Sequence, residues 1–388
     1  MDVLLSRHVD EIVVMINALS KSILNVDVNK LSSISDEQSF QSSLDILKNV
    51  GALKRDISIF MGQVSEHMRS LSTRMAKAKE YHTTSKGNYM PEELSAHDIH
   101  LLLAKFACAN KHEDDRIGIE ILVSLAEKEH GILFPELSMS MRKLIHSSQT
   151  FVCDICSILP RNSIRSFSTL TVWSNYSNDD SFMAESFGNL PQTLITQIGE
   201  HLLSLVQIFE PFALDPAALS LGNTAMENIS DIPLTSWNEF VETIGYDQDR
   251  IQNIMSGNAF SDLDSAISAI HLENENDEGD TPSTLFCNQW LDVISSTLTA
   301  ALLNQTMKIP KLSRMGCEQL VVDFGYLMNV LSALGLSNHP HQLLNHIAEV
   351  SQLSDDEFKA RLVQKTFDLE NVVDLVDRRL AQMRNISL

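Results

Sequence analysis

The chain has 388 residues, 44% of them apolar, with a formal net charge of −22 and a pI near 4.9. That length and apolar content suit a folded protein of two or three domains, and exclude a disordered tail. The negative field repels phosphate backbones and anionic lipid surfaces, which excludes broad nucleic-acid binding and leaves membrane association to protein partners. With only 14 glycines, 10 prolines and 6% aromatic residues, the composition predicts an all-α fold over a β-sandwich or barrel.

Residues 3–24 carry apolar positions at helical spacing, and Arg7, Asp10 and Glu11 interrupt them, so no signal peptide is expected. Ser35-x-x-Gln38 offers a capping box before a long helix. Leu53, Ile57, Phe60, Val64, Met68, Leu71 and Met75 then line one face of it at spacings of three or four. Arg69, Arg74, Lys77, Lys79 and Lys86 make the one modest basic run, read as a solvated face. Gly87 and Pro91 punctuate the pattern, and further helices are expected over 92–110, 114–130 and 134–158.

Pro160 is expected to open an irregular connection over 160–190, rich in Ser, Asn and Asp. A helix follows from Pro191 to about Phe212, where Pro211 and Pro216 break the chain, and shorter helices continue to Leu272. The acidic run Glu273–Asp280 reads as an exposed loop before a C-terminal module. That module, from Asn288 to Leu336, reads as two amphipathic helices joined by a Pro-containing turn. One stripe is Trp290, Ile294, Leu298 and Leu302. The second is Leu320, Phe324, Leu327, Leu331 and Leu334, with Gly335 placed for a left-handed C-terminal residue. Ser354-x-x-Glu357 is a second capping box. The last helix, about 368–386, runs from Asp368 and Glu370 to Arg378, Arg379 and Arg384, an order that complements its own dipole. Three regions follow: an N-terminal helical bundle region (1–160), a middle helical region with the irregular linker and acidic loop (161–285), and the C-terminal module (286–388).

No catalytic, cofactor-binding or metal-binding residue is assigned, and the sequence does not identify the partner-binding ones. Cys153-Asp154-Ile155-Cys156 has CxxC spacing, but the further ligands a zinc site needs are missing, His146 being the nearest histidine. Lying late in a helical pattern, the pair reads as buried structural thiols, and the odd count of five cysteines fits free thiols in a reducing compartment. His97 and His100 stand near Glu92, Glu93 and Asp98 without an HExxH arrangement. His339-Pro340-His341 is placed in a turn. Phosphate-cradling glycine loops, a GxSxG elbow and EF-hand carboxylate positions are all missing, so no enzyme activity and no cofactor are expected. Trp290 and Tyr326 are weighed as partner-binding aromatics and read as packing residues, because Trp290 shares a stripe with Ile294. Asn175-Tyr176-Ser177 and Asn304-Gln305-Thr306 match glycosylation acceptors by chance. No apolar run reaches the ~20 residues that span a bilayer.

A resemblance adds to this reading. Gln289-Trp290-Leu291, the turn Lys308–Ser313, Gln319-Leu320 and Asp323–Leu336 resemble the subunit 7 family of the conserved oligomeric Golgi complex. So do Leu190-Pro191-Gln192-Thr193-Leu194 and Phe209-Glu210-Pro211-Phe212. The resemblance is strong over about 190–350 and faint over 1–160. Because family members are longer, the chain is expected to correspond to the C-terminal part of such a subunit, or to a shortened form. The resemblance implies an extended helical rod of successive helical bundles. It also implies a peripheral protein on the cytosolic face of the Golgi, acting in intra-Golgi retrograde vesicle transport and in the maintenance of glycosylation enzymes. Subunit 5 is the implied direct partner, with subunits 6 and 8 in the same lobe, and SNAREs and small GTPases are reached through the complex. The competing readings are an exocyst-like tethering subunit, a helical scaffold or adaptor unrelated to trafficking, and an enzyme hidden in an all-α fold.

Overall fold

A computed structural model of the chain describes residues 2–24, 37–84, 134–174, 190–217, 234–245, 282–336, 339–364 and 371–387. The described residues are all-α, without a strand. In chain order the helices are α1 (Asp2–Leu24), α2 (Glu37–Thr84), α3 (Pro135–Ile164), α4 (Thr193–Ala213) and α5 (Leu234–Ile244). They continue with α6 (Pro282–Met307), α7 (Arg314–Ala333), α8 (His339–Gln352), α9 (Asp355–Gln364) and α10 (Val372–Met383). Two 3-10 turns, Phe167–Thr169 and Thr171–Trp173, follow α3. The expected helices over 92–110 and 114–130, the cap at Ser35 and the acidic loop Glu273–Asp280 lie outside the described residues.

The chain divides into two compact units, one of Met1–Ile12 and Ala52–Leu144, the other of Val13–Gly51 and Ile145–Leu388. In the first, Pro135 occupies the opening position of α3, where its missing N–H costs nothing. The Asp2 carboxylate accepts the freed N–H groups of Glu136 at 3.2 Å and Leu137 at 2.8 Å, an anion placed where the helix end is positive. The Phe60 and Phe134 rings meet at 6.0 Å between centroids.

The second unit is built around α6. Helices α4, α5, α8 and α10 and the first 3-10 turn all pack against it. Trp290, Ile294, Leu298 and Leu302 are buried as the stripe requires. The opposite face, however, is buried too: Ser295, Ser296, Thr297, Thr299, Asn304 and Thr306 are all inside. So α6 is not amphipathic, against the expectation. Its polar residues are short enough to satisfy themselves at the helix surface. The Thr297 hydroxyl donates to the Val293 carbonyl at 2.8 Å, Thr306 to Leu302 at 2.8 Å, and Ser295 to Asp292 at 3.0 Å. A hydroxyl bonded in this way adds little desolvation cost.

Pro160 does not open the connection; α3 runs on through it to Ile164. Proline removes the N–H that would bond the carbonyl four residues back, here Cys156. That carbonyl instead accepts from His201 Nε2 at 2.6 Å, which leaves Nε2 as the protonated ring nitrogen. Burial lowers the His201 pKa, and the Cys156 carbonyl opposes that shift. His339-Pro340-His341 is likewise helical, forming the first turn of α8, where proline is tolerated. The predicted C-terminal residue holds: Gly335 has φ +72°, and the Leu336 N–H returns to the Leu331 carbonyl at 2.8 Å. α10 starts later than 368, at Val372, because Asn371 caps it by accepting from the Val373 N–H at 2.9 Å.

Candidate functional site

Two of the segments that carry the resemblance meet at Asp323. Leu190-Pro191-Gln192 leads into α4, and Gln319 and Asp323 lie one turn apart on α7. The Asp323 carboxylate accepts from the Gln192 backbone N–H and from Gln192 Nε2, each at 2.7 Å, and from Gln319 Nε2 at 2.9 Å. Gln319 Nε2 also donates to the Leu190 carbonyl at 3.0 Å. Burial pushes the Asp323 pKa up to about 6, while the bonds from Gln192 and Gln319 pull it back. The group is thus an anion at neutral pH, set at the positive end of α4. Sequence reasoning quoted both segments and missed their junction. The available signal was an aspartate directly beside the buried Phe324 stripe.

A few residues further along the same pair of helices the backbones approach closely. A Cβ at Gly199 would stand 2.8 Å from Tyr326 Cε1 and 3.2 Å from Val330 Cγ2. Tyr326 is therefore a packing residue against α4. Trp290 is too: it is 1% exposed and stacks on Phe209 at 5.7 Å. Phe209 itself belongs to the Phe209–Phe212 element of the resemblance, so a second pair of its segments is joined here. The Lys308–Ser313 turn is held at its C-terminal end, the Leu312 N–H donating to the Met383 carbonyl at 2.9 Å and the Ser313 N–H to the Trp173 carbonyl at 2.7 Å.

The remaining polar groups of the interior also point to structure. His341 sits between Thr299 Oγ1 (2.9 Å from Nδ1) and Ser295 Oγ (3.3 Å from Nε2). Ser295 spends its proton on Asp292, so Nε2 carries the ring hydrogen and Nδ1 accepts from Thr299. Burial drops the His341 pKa to about 4. His346 Nε2 meets Asp377 at 2.7 Å, tying α8 to α10 in a fully buried pair. Trp237 Nε1 donates to Ser296 Oγ at 3.0 Å, and Thr243 to Asn304 at 2.7 Å. With Asn304 inside α6 and so engaged, the Asn304-Gln305-Thr306 acceptor is out of reach of a glycosylating enzyme.

Cys153 and Cys156 are free and buried. Burial pushes the Cys153 thiol up to about 12, helped by the Asp154 carboxylate, and raises Cys156 as well. Such thiols are neither nucleophiles nor ready metal ligands. Cys153 Sγ lies 3.8 Å from Thr297 Oγ1 of α6. Among the described residues no group of three or more His, Cys, Asp or Glu side chains is placed to hold a metal ion. His97 and His100 lie outside those residues. The C-terminal arginines do something other than complement their own helix. Arg379 Nε donates to the Met307 carbonyl at the end of α6 at 2.7 Å. Arg384 donates to the Val350 carbonyl in the last turn of α8 and to the Leu353 carbonyl just beyond it, and stacks over Phe358 at 5.2 Å. They cap the C-termini of neighbouring helices.

The arrangement is that of an inward-looking helical core, and two of its interhelical joints, Asp323 with Gln192 and Trp290 with Phe209, link segments that carry the resemblance. Comparison with known proteins agrees. The family model for Golgi complex component 7 matches residues 1–237. The chain belongs to the Golgi complex component 7 family. It is 24% identical over 232 residues to conserved oligomeric Golgi complex subunit 7 of Arabidopsis thaliana, covering 56% of this chain and 21% of that protein. It is 35% identical over 71 residues to the subunit of that name from Dictyostelium discoideum, covering 18% of this chain and 7% of that one. The match thus spans about a fifth of the Arabidopsis protein and less of the Dictyostelium one. No solved structure matches the chain. The family match takes in Leu190–Leu194 and Phe209–Phe212, and includes 1–160, where the resemblance read as faint; it stops before Asn288–Leu336. No described helix is long and apolar enough to cross a membrane.

Proposed function

We propose that this Golgi complex component 7 chain acts as a non-enzymatic, protein-binding subunit of a conserved oligomeric Golgi complex. Its place is the cytosolic face of the Golgi membrane. There it serves intra-Golgi retrograde vesicle transport and so keeps glycosylation enzymes in position. The observation that carries this reading is the family match over residues 1–237, supported by the names of the Arabidopsis and Dictyostelium relatives. The geometry is compatible with a mechanical role: Asp323, His341, His346, Trp237 and Thr243 bond other core groups, and Arg379 and Arg384 bond the ends of neighbouring helices. A tether needs length and adhesive faces, and helices that advance 1.5 Å per residue supply length with few residues. Subunit 5 is the proposed direct partner, with subunits 6 and 8 alongside, and SNAREs and small GTPases engaged through the assembly.

The test is affinity purification of the tagged chain from its own cells, with its partners identified by mass spectrometry. Recovery of Golgi-complex subunits, subunit 5 above all, is the expected result. A profile containing exocyst subunits, or no Golgi-complex subunit, overturns the proposal. The net charge of −22 adds a second expectation: the purified chain does not bind anionic liposomes at physiological salt without a protein partner. Strong binding there removes the protein-mediated recruitment step.

A further inference from the structure

We draw no further inference here: the strongest candidate, the exposed apolar side chains Val3, Leu4, Val14, Met15 and Leu19 on the first helix, carries nothing because nothing in the structure shows what covers that face.

Discussion

Helices α2 and α6 handle polar residues in opposite ways. Along α2 charged side chains recur among serines, and Ser58 stays exposed although its hydroxyl returns to the Lys54 carbonyl. Lys54, Arg55, Asp56, Glu66 and His67 stand at or near the surface, and even Phe60 of its apolar stripe is 36% exposed. Along α6 the buried polar residues are hydroxyls and one amide, and Val293–Ala300 is buried on every side. What separates the two helices is therefore not how many polar residues each carries but how many are charged: in α6 Asp292 stands alone. A serine or threonine can return its proton to its own helix, while a lysine must keep its ammonium in water.

The sharpest way to break this contrast is to truncate one aromatic from each helix. Trp290→Ala in α6 is expected to lower unfolding free energy by about 3–5 kcal/mol in urea denaturation, the range for deleting a large buried side chain. Phe60→Ala in α2 is expected to cost about 1 kcal/mol, mostly its ring contact with Phe134. Equal losses at the two sites would show that α6 is not the enclosed helix.

Next in size is Asp323→Ala, which strands three donors at the α4–α7 junction. About 2–3 kcal/mol is expected, since unsatisfied buried groups carry their full desolvation cost. The same residue gives a pH signature. Its folded pKa, about 6, lies above the ordinary aspartate value of 3.8. Its favourable contribution is thus complete below about pH 4 and is lost as pH rises through about 6. Asp323→Asn removes that segment of the stability–pH curve, and a variant curve parallel to wild type between pH 4 and 6 would contradict the assignment. His341 runs the other way. Its folded pKa, about 4 against 6.5, makes its contribution complete above pH 6.5 and lost as pH falls through about 4. Its ring resonances in NMR are expected to stay fixed between pH 8 and pH 5.

Smaller again is Gly199→Ala, which drives a Cβ against Tyr326. A loss of about 1–3 kcal/mol is expected from overpacking, and Tyr326→Ala in the same chain should recover part of it. Additive losses in that double-mutant cycle would deny the close approach. The smallest effect is at the exposed Ser354–Glu357 capping box, where the Ser354 N–H and Oγ both donate to Glu357 Oε2, at 2.9 and 2.7 Å. Ser354→Ala is expected to cost about 1 kcal/mol and to raise hydrogen exchange only in the first turn of α9.

Local signals read well from the sequence because their physics is local. Ser354–Glu357 and Gly335 involve neighbours along the chain, and the α4 periodicity reflects burial on one face. What escaped depends on distant partners. The continuation of α3 through Pro160 requires His201, and the enclosure of α6 requires Trp237, His341 and Thr243 around it. Arg379 and Arg384 were assigned to their own helix because sequence order cannot reveal that the ends of α6 and α8 lie beside them. Asp323 belonged to a motif quoted for resemblance, yet its partner Gln192 is 131 positions away.

Pro160 and His201 have a consequence for how this helical framework tolerates change. The ring nitrogen occupies the oxygen that an ordinary residue at 160 would need for its own backbone donor. Restoring a regular residue there would add a second donor to a carbonyl whose two lone pairs can take both, whereas replacing the histidine alone would leave a buried acceptor bare. The dependence is thus one-sided: the proline can be exchanged while its mender stays, but the mender cannot be lost while the proline remains.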